Sequence, residues 1–312
     1  MIIINSIVPI FLLVLLGHLL QKIGFFSDGF FKNVNRLVFW IALPALLISD
    51  ISESTLELES IGRIVFLLTA GTVLSLALAW GISRILKLPA PQTGAFIQGS
   101  FRGNGAFVSL PVILYSLGAI DPKAETLATV VLAPLVILFN ILGVIVLAHY
   151  GRSSNAKRPS VFSLLVKMLK NPLIISCGIG IALNLYQVAI PTALFRPLAL
   201  LGDIALPLVL MSIGASLQFE RLRGAASPSL IASLIKLIAA PMLGFMLTPF
   251  LNCSHTETMI ALFYLAAPAA GTSYIMADAM DNDGPLAGRI VALSTLLAAA
   301  TIPIIMFLGF SL

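Results

Sequence analysis

Charge is scarce in this chain, and so are the side chains from which most enzyme centres are built. Only 10% of the 312 residues are charged, and there are three histidines and two cysteines. Cys177 and Cys253 lie far apart, each in or at the end of an apolar segment, which speaks against a disulfide framework or a metal cluster. His18, His149 and His255 fall at separate span ends, and there is no HExxH, no GxSxG and no paired intramembrane aspartate. The "DNDG" around Asp281 lacks the rest of a calcium loop. Without a nucleophile and base or a ligand set, an enzyme reading has nothing to stand on, and no cofactor or metal is expected.

What the chain does have is apolar sequence. Hydrophobic residues make up 59% of it, and its mean hydropathy is +1.07, far beyond a soluble domain. The apolar runs are long and do not alternate, as a helix spanning with roughly 20 residues requires and a barrel strand of about ten does not. The expected fold is an all-α polytopic membrane protein. About ten spans are read: Ile2 to Gln21, Asn33 to Ser49, Gly62 to Leu86, Thr93 to Leu117, Ala124 to Tyr150, Leu164 to Tyr186, Ala193 to Leu217, Ser229 to Leu251, Thr256 to Ala277 and Leu286 to Leu308. The first has Lys22, Lys32 and Arg36 behind it and no basic residue ahead, the reverse of a secretory signal, so it is expected to stay in the mature protein.

Basic residues divide between alternate loops. Lys22, Lys32, Arg36, Arg84, Lys87, Arg152, Lys157, Arg158, Lys167, Lys170, Arg221, Arg223 and Arg289 fall on one side, against Arg63, Lys123 and Arg196 on the other. By the positive-inside rule both termini lie outside the cytoplasm. The net charge of +5 is then a mark of topology, and no nucleic-acid partner is expected.

The halves repeat. "IALPALLIS" (Ile41 to Ser49) matches "IALPLVLMS" (Ile204 to Ser212), with the first four residues identical. Each copy sits in the second of about five spans, and an odd number per half inverts the second copy in the bilayer. The expected domains are residues 1–150 and 164–312 as two five-helix repeats, joined by a cytoplasmic linker at 151–163.

Inverted repeats place their binding site near the midplane on discontinuous helices. Two such breaks are legible. In "QGSFRGNGAFVSLP", Gly103 and Gly105 weaken the fourth span around Asn104, and Ser109 could cap a helix restarting at Pro111. In "YLAAPAAGTSYIMAD", Pro268 and Gly271 can open the ninth, with Thr272 or Ser273 capping its restart. Irregular backbone at that depth is tolerated only when buried in protein or lining a wet cavity. Two restarted helices would aim their positive ends at one centre beside Arg102, which favours an anion, with Asn104 and Asn140 supplying hydrogen bonds. Asp203 and Lys236 read as deep intramembrane charges, which serve function or neutralise each other.

At these residues the sequence resembles the auxin efflux carrier family in its bacterial permease branch. The likeness is carried by "RGNG…LP", by the K-L-x-x-x-P of Lys236 to Pro241, by "ADAMDNDGPLAGRIVALSTLLAAATIP" (Ala277 to Pro303) and by the opening "VLLGHLLQKIGFF". It covers the whole chain. The resemblance implies a bile-acid-transporter-like fold in which helices 4 and 9 cross. Helices 1, 2, 6 and 7 would form the scaffold, helices 3–5 and 8–10 the transport part. It also implies a homodimer in a plasma membrane, bacterial inner membrane in this branch, carrying organic anions such as carboxylates. The long cytoplasmic loop of the plant carriers is missing here. A sodium-coupled symporter of the bile-acid type is the alternative, and it is weakened by the lack of a carboxylate at the crossover; a channel or a membrane enzyme follows at a distance.

Cysteine labels at Ser54 and Ser254 are expected to react from outside the cell, and one at Ser154 only after permeabilisation. Labelling of all three from one side would end the inverted-repeat reading.

Overall fold

The computed structural model describes residues 2–27, 29–151, 170–216 and 227–309, and for residues 2–7 the backbone only. Most of the linker at 151–163 therefore lies outside the described residues. The described chain is helical: α1 (Ile2–Lys22), α2 (Phe30–Glu53), α3 (Leu58–Ile85), α4a (Ala90–Phe101), α4b (Gly105–Ser116), α5 (Lys123–Tyr150), α6 (Pro172–Leu185), α7 (Thr192–Ser216), α8 (Ser227–Phe245), α9a (His255–Leu265), α9b (Thr272–Ala279) and α10 (Gly284–Gly309). Six of these, α2, α3, α5, α7, α8 and α10, are long and apolar enough to cross a membrane, and shorter apolar helices accompany them. Their outer faces carry Trp40, Phe66, Trp80 and Phe307, each about half exposed or more. Such a surface suits lipid and not water.

Prolines shape the helices in a regular way. Pro44, Pro111 and Pro241 each occupy the second residue after a five-residue π segment, at Val38–Ala42, Gly105–Ser109 and Ile235–Ala239. A proline lacks an N–H and its ring collides with the carbonyl four residues back. Widening the preceding turn to i→i+5 relieves that collision without ending the helix. Ser109 is thereby corrected from its expected role: with φ −69° and ψ −46° it lies inside continuous helix and makes no side-chain capping bond. In α7 the corresponding bend falls at Ile204, just ahead of Pro207.

The chain divides into two compact units. The first comprises residues 1–61, 106–133 and 161–217. Within it α1 and the second half of α7 touch backbone to backbone: a Cβ on Gly17 would lie 1.9 Å from the Met211 carbonyl oxygen, and one on Gly214 would lie 1.8 Å from that of Val14. Membrane helices gain contact this way because lipid offers no hydrophobic drive for association. The end of α2 is held by Asn184 of α6, whose Nδ2 donates to the Ile51 carbonyl at 3.1 Å and the Ser54 carbonyl at 2.5 Å. These are the orphan carbonyls that a helix terminus must satisfy.

The second unit comprises residues 62–105, 134–160 and 218–312. At one end Arg63 of α3 makes a two-pronged ion pair with Glu257, at 3.0 and 2.6 Å, while the Glu257 carboxylate also closes a capping box with Ser254 at the start of α9a. At the other end the "DNDG" turn is structural. Asn282 Nδ2 donates to the Leu147 carbonyl of α5 at 3.0 Å, Asp283 Oδ1 accepts from the Leu286 N–H at 2.8 Å, and the Asp283 N–H donates to the Pro91 carbonyl of α4a at 3.1 Å. Between these ties lie the two helix breaks, at residues 102–104 and 266–271.

Gly17→Leu is expected to disrupt the first unit, because its side chain must displace the α7 backbone instead of a flexible neighbour. The loss should be at least about 3 kcal/mol, or outright misfolding, read as a lowered melting temperature or a lost monodisperse peak in detergent. A stable, well-behaved variant would show that the contact is loose.

Candidate crossover site

The second unit holds both breaks together. α4a ends at Phe101, Arg102 turns extended (φ −77°, ψ 102°), and helix resumes at Gly105. α9a ends at Leu265, and helix resumes at Thr272. The intervening segments pair as a short antiparallel bridge, Gly103 opposite Ala269. The Asn104 N–H donates to the Pro268 carbonyl at 2.8 Å, and the Ala270 N–H donates to the Arg102 carbonyl at 3.1 Å. The Ala269 N–H donates to Ser294 Oγ of α10 at 3.0 Å. Lys236, fully buried in the π segment of α8, donates from Nζ to the Leu265 carbonyl, the last of α9a. Each exposed peptide group of the crossing named here has a protein partner, as an interior without water demands. The prospective caps Thr272 and Ser273 are not caps: Gly271 precedes the helix, and no side-chain capping bond is made.

In extended backbone, successive side chains leave on opposite faces. Gly103 faces Lys236: a Cβ there would lie 3.1 Å from Cε and 3.2 Å from Nζ, and 3.0 Å from the Ala267 methyl. Arg102 leaves on the other face and is 7% exposed. Its Nη2 donates to Asn140 Oδ1 at 3.1 Å and Thr272 Oγ1 at 3.2 Å; its Nη1 lies 2.8 Å from Met276 Sδ and 3.5 Å from the Phe139 carbonyl oxygen. Asn140 is turned toward Arg102 because its Nδ2 donates to the Val136 carbonyl of its own helix at 2.9 Å. Every one of these acceptors is neutral. Among the described residues no carboxylate pairs with Arg102, so a buried cation is held in place and left uncompensated. The approach is open beside Gly271 and Thr272, which are exposed, and a Cβ on Gly271 would meet nothing within 4 Å.

Arg102, Gly103, Asn104, Asn140, Pro268 and Thr272 are thus brought together by direct bonds, with Gly105, Gly271 and Ser273 adjoining them in the chain. Ser109, Pro111 and Asp203 belong to the first unit. There Asp203, expected to be a deep charge, is exposed at the end of the first half of α7, where the bend at Ile204 turns it into a cavity of about 290 Å³ lined also by Asp50, Glu53 and Glu125. Sequence reasoning passed over those three carboxylates. It also passed over Gln98, Gly143 and Met276. Gln98 precedes Arg102 by one helical turn and Met276 follows Thr272 by one, the spacing that would have placed them on the same faces. Gln98 is fully buried, its Nε2 3.9 Å from Met276 Sδ and its Oε1 without a partner. Ser273 Oγ is likewise buried and unpartnered.

The sequence matches the family described as Membrane transport protein over residues 2–160 and 156–306. It is similar to an uncharacterized transporter of Methanocaldococcus jannaschii, 26% identical over 93% of this chain and 94% of that protein, and to an uncharacterized transporter of Methanothermobacter thermautotrophicus, 23% identical over 96% of each. A Rhizobium meliloti protein provisionally named a malonate transporter is 23% identical over 97% of this chain and 94% of its own length. A match along essentially the entire chain, on a helical fold with lipid-suited faces and an interior helix crossing, shows that the chain belongs to the Membrane transport protein family, that of the auxin-efflux-carrier-like permeases, and is a multi-pass membrane transporter and not an enzyme.

Proposed function

We propose that the chain is a secondary transporter of a small organic anion, a carboxylate, which it binds at the crossing of α4 and α9. The observation that carries this reading is Arg102: a buried guanidinium whose partners are an amide, a hydroxyl, a thioether and a carbonyl, with no counter-ion among the described residues. A charge at membrane depth costs several kcal/mol unless paired, and an arriving carboxylate supplies the pair through the planar fork that suits it. The relative named for malonate transport supports the substrate class.

The rest of the reading follows the sequence. About ten spans form a 5+5 inverted repeat, both termini face outward, and the protein works as a homodimer in a bacterial inner membrane. Helices 1, 2, 6 and 7 serve as scaffold, and the part that carries the crossing moves against it, in an elevator type of alternating access. Of the two compact units, one holds α1, α2, α6 and α7 together with residues 106–133 and the other holds both helix breaks, so the grouping of helices 1, 2, 6 and 7 supports the scaffold part of that division. The sodium-coupled alternative needs carboxylates or free carbonyls at the crossing. The carbonyls of Arg102 and Pro268 are already engaged there, which favours the anion reading. No cofactor takes part.

Arg102→Gln is expected to weaken carboxylate binding by roughly ten- to a hundred-fold, the worth of a charge-assisted hydrogen bond, without unfolding the protein. Asn104→Leu is expected to lower affinity as well while assembly is kept. Isothermal titration of purified protein reads both, and unchanged affinity in a well-folded Arg102→Gln protein would place the site elsewhere.

Lys236→Met leaves the Leu265 carbonyl without its donor and is expected to cost about 1–3 kcal/mol of stability together with transport. If Asp203→Asn restored transport in that background, the two charges would be neutralising each other; because Lys236 already donates to the Leu265 carbonyl, no rescue is expected. Counterflow in proteoliposomes separates these outcomes.

A further inference from the structure

The crossing offers more than a cation. Gln98 projects from α4a one turn ahead of Arg102, and both head groups reach the same place on α5: a Cβ built on Gly143 would lie 3.2 Å from Arg102 Nη1, 3.2 Å from Gln98 Nε2 and 3.6 Å from the Met276 terminal methyl. The bare backbone of Gly143 is what leaves room for both. The Gln98 amide is wholly buried, yet its oxygen has no hydrogen-bond partner and its nitrogen has only a thioether at 3.9 Å. Leaving a buried amide unsatisfied costs about 1–3 kcal/mol, which a ligand that pairs with it recovers. No carboxylate or histidine is bonded to Gln98 or Arg102 among the described residues, and Lys236 lies on the opposite face of the bridge, spent on the Leu265 carbonyl. The site therefore supplies one positive charge and, beside it, a neutral amide whose buried oxygen is unpaired.

Resting on the anion-site reading above, we propose that the substrate is a monoanion bearing a second, neutral hydrogen-bonding group. Its carboxylate sits on Arg102, and its O–H or N–H donates to Gln98 Oε1. A short dicarboxylic acid fits in its singly ionised form, the remaining proton being the one Gln98 accepts. A primary amide can meet a neutral carboxyl with both of its faces, accepting from the O–H and donating to the C=O. The doubly ionised form has no proton to give Gln98 Oε1, which stays unpaired, and brings a second charge into a buried site that compensates only one. A plain monocarboxylate satisfies Arg102 and leaves Gln98 unpaired.

Three probes on purified protein separate these cases: propionate, with no second group; malonamate, a fixed monoanion with a neutral amide; and malonate titrated through its second ionisation. Malonamate is expected to bind about ten-fold or more tightly than propionate. Malonate affinity should fall about ten-fold per pH unit once its second carboxyl ionises, while malonamate stays flat. Gln98→Leu should abolish the preference for malonamate over propionate. Gly143→Ala, which favours helix, fills the shared space and should weaken malonamate and malonate more than propionate; it decides the matter if Gln98→Leu does not fold. Malonate binding that holds or tightens through its second ionisation overturns the proposal, as does a malonamate preference that survives in Gln98→Leu or Gly143→Ala. In either case loss of all three ligands in Arg102→Gln would keep the anion site, whereas a well-folded Arg102→Gln protein that binds them all normally would remove the site and this inference together.

Discussion

A peptide group inside a membrane protein has no water to fall back on, and the second unit is arranged around that constraint. Two helices stop within the protein interior, and their free N–H and C=O groups find one another across a two-residue bridge, with Ser294 taking one further N–H and Lys236 one helix-terminal carbonyl. The bridge dictates its own composition. A side chain at Gly103 would crowd Ala267 and Lys236 at 3.0 to 3.2 Å, and residues 266, 267, 269 and 270 are alanines, all buried. The same extended geometry sends Arg102 away from Lys236. Satisfying the backbone is thus what positions the guanidinium, and the chemistry of the crossing follows from the hydrogen-bond accounting.

The two buried cations do different work because of where the helix ends lie. Lys236 faces the carbonyl end of α9a, where the aligned peptide dipoles present partial negative charge, so a compact ammonium is stabilised by the fold itself. Arg102 faces no helix C-terminus. Its fork is spread over four neutral acceptors drawn from α5 and α9b, which fix its plane and its position but cancel none of its charge. A lysine at that position would reach fewer of these acceptors and could not present two parallel N–H groups to a carboxylate.

Much of this was legible in the sequence. Hydropathy gave the membrane class, and Pro268 with Gly271 and Gly103 with Asn104 located the two breaks, because those residues act on the backbone locally. The fourth helix was misread at its restart. Ser109 before Pro111 has the form of a capped N-terminus, yet the chain uses a π turn there, as it does before Pro44 and Pro241. Local rules treat proline as a stop or a start, and they do not say that a neighbouring turn can widen to accommodate it. The three "x-x-P" segments share one solution that becomes visible only when the hydrogen-bond ladder is followed.

The composition of the site was harder to read, because its contacts join positions distant in sequence: Arg102 meets Asn140 and Thr272 across 38 and 170 residues. Arg102 and Asn140 each stood out as polar residues in apolar helices. That they share a hydrogen bond depends on the packing of α4a, α5 and α9b, on which a single sequence is silent. Gln98 was overlooked for a different reason. Beside an arginine it looked like one more polar residue in a motif already explained, and its significance rests on what it lacks, a partner for its oxygen. Propensity and spacing describe bonds that form, whereas an unmet acceptor shows only against the full set of its neighbours. A protein that carries a ligand must leave some groups unmet until the ligand arrives, so the residues that choose the ligand are those that rules of internal satisfaction are least able to find.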